Sequence, residues 1–164
     1  MVAVTTPVMT RVRNFGNWCN LSTALGLVVA TIGRARIRRG RDGIWMAEGY
    51  RLAFPMAGAF TVGSVVLTAS PSWADIEAGR PGLLKHEVNH TWQWAYCCGL
   101  PFLPVYAAAM GWSWLRTGDR ASANFFESEA DLELGGYQIF PLRPLRKGLA
   151  ELRTLTGRGS RTKS

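Results

Sequence analysis

The sequence predicts an α+β domain, and three features lead there. Its apolar segments run helix, then strands, then helices, without the regular strand–helix alternation of a parallel α/β sheet. Phe60 to Thr68 (Phe-Thr-Val-Gly-Ser-Val-Val-Leu-Thr) is rich in β-branched residues and reads as the best strand in the chain. The uncharged run from Val88 to Leu115 is cut by Gly99, Pro101 and Pro104 into two helices, a helical hairpin.

Taken in order, residues 1–13 read as a flexible leader, 14–142 as one domain and 143–164 as a basic tail. Asn20-Leu-Ser-Thr offers N-cap chemistry for a helix closing near Gly33. Arg41-Asp42-Gly43, between two short β-compatible runs, reads as a hairpin turn. Pro71 to Pro81 reads as a loop. Helices are expected from there to about Cys98, from about Pro101 to Arg116, and from Ala121 to Leu134, the last stopped by Gly135-Gly136. After Pro144 the tail has room for one short helix and then frays.

With 164 residues, 48% apolar and 18% charged, the chain is too hydrophobic to be disordered and long enough to bury a core without disulfides. Cys19, Cys97 and Cys98 form an odd set with no Cys-x-x-Cys spacing. That excludes a disulfide framework and a cysteine zinc site, and fits a reducing compartment such as the cytoplasm. The net charge of +8 sits largely in Arg34, Arg36, Arg38, Arg39 and Arg41 and in the tail. No nucleic-acid motif accompanies these arginines, so no nucleic-acid partner is expected; alternation along a strand would place Arg34, Arg36 and Arg38 on one face. The uncharged stretch from Asn14 to Gly33 contains Asn14, Asn17, Asn20, Ser22 and Thr23, and its purely apolar part falls short of the ~20 residues a bilayer span needs. Peripheral contact with a membrane stays open.

Chemistry concentrates in His86-Glu87-Val88-Asn89-His90, which holds both histidines of the chain. On a helix, positions i and i+4 share a face, so the two imidazoles can reach one zinc ion while Glu87, one step round, can act on water as general base. A catalytic zinc site needs a third protein ligand. Glu127 and Asp131, on the later helix, are spaced i and i+4: Glu127 fits as that ligand and Asp131 as a carboxylate orienting a ligating histidine. Glu129 should point elsewhere, into solvent. Gln93, on the ligand face, either hydrogen-bonds a ligand carboxylate or fills a polar gap. Tyr106 and Tyr137 can each donate to a developing oxyanion, Tyr137 being the better placed after its glycine pair. Cys97 reads as a buried inert thiol, and the tryptophans along the central helices as core.

Leu83-Leu-Lys-His86-Glu87-Val-Asn-His90 followed by Phe126-Glu127-Ser-Glu-Ala130-Asp131 resembles the gluzincin metallopeptidases, most of all the branch with a Glu-x-x-Ala-Asp helix that includes the HtpX-like and CAAX-processing peptidases. The resemblance covers roughly residues 60–137. It implies a zincin-like fold, with a small antiparallel or mixed sheet packed on the active-site helix. His86, His90 and Glu127 would be zinc ligands, Glu87 the catalytic base and Asp131 the partner of His86. It further implies a strand edge within Phe60–Thr68 that pairs with an extended peptide or protein substrate. Lys85 departs from the small residue usual beside the first ligand, and its helical position lets it point outward. The four-span architecture of the membrane-embedded relatives is absent. The alternative is a zincin-fold protein that binds metal or serves as a scaffold without catalysis.

Overall fold

The computed structural model describes residues 6–159 apart from 54, 56 and 57, and for 155–159 the backbone alone. Among the described residues it is an α+β fold of seven α-helices and one four-stranded mixed sheet.

The first helix, α1 (Pro7–Cys19), occupies most of what reads as a leader; residues 1–5 lie outside the described part. Its start obeys ordinary capping rules: Thr6 Oγ1 accepts from the backbone N–H of Met9, and Pro7 opens the first turn. The helix escapes a periodicity reading because its polar stripe, with Arg13 and Asn17, is the buried one. The second helix, α2 (Ser22–Ile32), follows where expected, and Asn20 Oδ1 accepts from the Ser22 N–H.

Strand β1 (Arg36–Arg39) pairs antiparallel with β2 (Trp45–Glu48) around a 3-10 turn at Arg41–Gly43, the expected hairpin. The Phe60–Thr68 segment is two strands rather than one. Gly63, at φ 61°, turns β3 (Ala59–Val62) back antiparallel onto β4 (Val65–Thr68). β4 then runs parallel to β2, giving the order β1-β2-β4-β3. It is covered on both faces, which explains its unbroken apolar run. Val65 and Leu67 pack with Ala30 of α2 and Tyr50, whereas Val66 packs with Met46, Ile44 and Trp73.

The expected loop between Pro71 and Pro81 contains a short helix, α3 (Trp73–Gly79), capped by Ser72, whose Oγ accepts from the Asp75 N–H. Helix α4 (Leu83–Tyr96) lies against β3, β4 and α1. Its first turn is held by Glu77, whose carboxylate accepts from the backbone N–H groups of Gly82 and Leu84. α5 (Phe102–Thr117) completes the helical hairpin. The predicted Ala121–Leu134 helix shrinks to α6 (Phe125–Ala130), because Asn124 caps it late and Asp131, at φ 79°, ends it early. Trp94, Phe102 and Phe126 join α4, α5 and α6 in one aromatic cluster.

The basic tail is structured as far as it is described. α7 (Leu145–Gly159) packs on α5, with Gly148 against the Leu115 carbonyl, and Arg143 pairs with Glu151 at 2.8 Å. Residues 160–164 lie outside the described part.

Candidate metal centre

α4 and α6 pack so that His86, His90 and Glu127 converge, all three buried, each offering one ligand atom within 4.8 Å of the others. Nε2 of His86 and Nε2 of His90 stand 3.1 Å apart. Glu127 Oε2 is 3.3 Å from His86 Nε2, and Oε1 is 3.8 Å from His90 Nε2. Ligand atoms on a tetrahedral ion at the usual 2.0–2.2 Å bond lengths sit about 3.3–3.5 Å from one another, close to these separations.

The tautomers follow from the surroundings. His86 Nδ1 faces two carbonyl oxygens, Ala130 O at 3.1 Å and Asp131 O at 2.9 Å, so it carries the proton. Gln93 Nε2 donates to Phe126 O and to Glu129 Oε2. That fixes the amide orientation and aims Gln93 Oε1 at His90 Nδ1, 2.6 Å away, which must therefore donate. In the neutral rings both Nε2 atoms are bare lone pairs pointed at each other. Glu127 Oε2, buried beside them, accepts no hydrogen bond from the described residues. Three unpaired donors of electron density around one point fit a bound cation. Fold and site together define an α+β protein with a buried His-His-Glu group that could hold a metal ion. Compared with known proteins, the chain matches no family model, no curated protein and no solved structure.

The remaining expected residues are distributed around this group. Glu87 is buried, and its Oε2 accepts from Thr61 Oγ1 at 2.7 Å. Burial raises its pKa above the ordinary carboxylate value, opposed by the two histidines and Thr61. Burial also acts on Glu127, but its contacts with the histidines and Tyr106 prevail and hold its carboxyl low. For His86 burial is likewise outweighed, by Glu127 and Glu87, and its pKa is raised.

Asp131 orients His86 through its backbone carbonyl and not through its carboxylate. The positive φ at Asp131 turns that carbonyl inward, while Oδ1 accepts from the Leu134 N–H. Glu129 is exposed, as expected, and it also accepts from Tyr96 and Gln93, so it anchors the partner of His90. Gln93 bonds His90, not the carboxylate of Glu127. Of the two tyrosines, Tyr106 donates directly to Glu127 Oε1. Tyr137 lies half-exposed with its ring 5.8 Å from that of His86, and burial together with the Glu127 and Glu87 carboxylates keeps its hydroxyl protonated. Lys85 is exposed, as its helical position requires, and Cys97 is only partly buried.

Thr61 carried no sequence signal, since its role depends on which face of a two-strand ribbon meets α4. Gly135 is needed beside the site: a Cβ there would lie 2.8 Å from His86 Cε1 and 2.7 Å from the Tyr137 ring. β3 is the sheet edge nearest α4, but the Thr61 carbonyl already accepts from Trp94 Nε1 at 3.0 Å and is not offered to an added strand.

Proposed function

We propose that this chain is a zinc-dependent peptidase of zincin-like design, with His86, His90 and Glu127 as ligands and Glu87 as general base. The observation that supports this most is the facing pair of bare Nε2 atoms 3.1 Å apart beside the unpartnered Glu127 oxygen. Zinc in such a site polarises a carbonyl and acidifies water. Glu87 takes a proton from the attacking water and returns it to the leaving amine nitrogen, a shuttle suited to a carboxyl whose pKa burial has raised. Thr61 holds one oxygen of Glu87 and so sets the direction of the other. Tyr137, at the rim beside His86, donates to the carbonyl oxygen as negative charge develops there. The substrate is an extended peptide or protein segment lying along α4 and β3.

A second reading, a metal-binding scaffold without turnover, draws on the occupied Thr61 carbonyl, which narrows the room for a strand-like substrate. The test uses the full chain. Metal analysis should give one zinc per chain, lost in His86→Ala and Glu127→Ala. Glu87→Gln should keep the zinc and lose turnover of a peptide pool by about 10²–10⁴-fold. Wild-type protein that binds zinc, melts lower after chelation and cleaves nothing supports the scaffold; full turnover in Glu87→Gln excludes the mechanism.

A further inference from the structure

α1 is amphipathic with its faces reversed. Arg13 and Asn17, on the side packed against α4, are 3% and 0% exposed. Val8, Val12 and Phe15, on the opposite side, are 67%, 59% and 71% exposed. A helix surrounded by water shows the opposite arrangement. Specific bonds fix this orientation: Asn17 Nδ2 donates to Ser64 Oγ and Thr91 O, and Arg13 and Asn14 both donate to the Asp42 carbonyl. Turning the helix over would strand all of these groups.

α2 repeats the pattern. Its small residues Ser22, Thr23, Gly26 and Ala30 are buried, Leu27 and Val29 pack partly buried against the core, and Leu21, Val28 and Ile32 project outward. Small residues toward protein and large aliphatic ones away from it are what a helix shows when hydrocarbon covers its other side. α1 and α2 meet at 71°, and among the described residues no single helix is long and apolar enough to cross a bilayer. An elbow of two short helices with one apolar outer face suits the plane of a lipid interface.

Charge selects the occupant. From Thr6 to Arg41 the chain contains no acidic residue, while Arg11, Arg34, Arg39 and Arg41 are exposed. Arg11 lies on α1 itself and Arg34 follows the end of α2, so basic side chains accompany the apolar face. A second copy docking there would oppose two cationic elbows, whereas lipid phosphates neutralise them. We propose that the outer face of the α1–α2 elbow inserts in-plane into an anionic lipid bilayer, its apolar side chains at the headgroup–acyl boundary and its arginines on phosphates.

The experiment is flotation of the full chain with phosphatidylcholine vesicles, with and without phosphatidylglycerol, at low and high salt. Wild type and Phe15→Leu should float with the anionic vesicles, and less so at high salt. The double variant Val12→Asp/Phe15→Asp should partition at least about tenfold more weakly while keeping the wild-type circular dichroism, since both sites are exposed. Wild type that stays at the bottom with both vesicle types, or a double variant that floats as well as wild type, overturns the proposal. So does a lipid-free dimer in sedimentation velocity that the double variant disperses, if wild type does not float.

Discussion

The amide of Gln93 on α4 donates to the carboxylate of Glu129 on α6 at 3.1 Å, and this one bond settles which nitrogen of His90 is free. With its N–H groups held by Glu129 and Phe126 O, Gln93 presents only its oxygen to His90 Nδ1. The chain Tyr96–Glu129–Gln93–His90 thus presets the orientation of His90 in the group that could hold a metal ion.

Gln93→Leu removes that preset. His90 becomes free to rotate or change tautomer, and the Phe126 carbonyl loses its donor. Zinc affinity measured by chelator competition should fall about 10–100-fold. Unchanged affinity would mean that packing alone holds His90.

Thr61→Val probes the proposed base, Glu87. Burial raises the Glu87 pKa and the Thr61 hydrogen bond counters it. Without the hydroxyl the pKa moves further up, and a base must be deprotonated to act. The acidic limb of the kcat/KM profile should therefore shift to higher pH by about 0.5–1 unit, the equivalent of one hydrogen bond, with zinc content unchanged. An unmoved limb, or one shifted to lower pH, would remove Thr61 from the mechanism.

The grouping of both histidines with Glu127 was legible because residues one helical turn apart share a face, and α6 supplied an acid near them. What the site adds is non-local. Thr61 reaches Glu87 only because Gly63 folds the β-branched run into a ribbon, and composition cannot distinguish one long strand from two short ones. Asp131 acts through its carbonyl because its backbone adopts positive φ, which a spacing rule for side chains does not see. α1 was invisible for a different reason: an inward polar stripe defeats any rule that assigns apolar residues to the core. α3 was masked by the prolines on either side of a seven-residue helix.

Gly26→Ala sets helix propensity against packing. Alanine gains about 1 kcal/mol in a helix interior. Its Cβ would lie 2.4 Å from the Val62 carbonyl oxygen and 2.7 Å from Val65 Cγ2, and the first of these is backbone that cannot swing aside. Overpacking of that kind costs about 1–3 kcal/mol, so urea denaturation should show a net loss of roughly 1 kcal/mol despite the better helix former. A stabilised variant would mean that α2 slides easily over the sheet.

Glu48 ties β2 to two elements at once, and its titration should be visible in stability. Its Oε1 accepts from Arg38 at 2.9 Å and from the backbone N–H of Trp73 at 3.0 Å, the first residue of α3, while Arg36 lies 3.7 Å from Oε2. The Arg38 hydrogen bond leads the contributions that hold its carboxyl below the ordinary range, against the opposing effect of burial. A depressed folded-state pKa contributes stability that is complete above the unfolded value, about 4.3, and is lost as pH falls through the folded one. Both arginines are largely exposed, so solvent screens their share and the effect at neutral pH should be about 1 kcal/mol. Glu48→Gln keeps an acceptor for Trp73 and removes the charge. Urea midpoints should therefore separate wild type from Glu48→Gln at pH 7 and converge by about pH 3; a gap that stays constant across that range would assign the role of Glu48 to shape rather than charge.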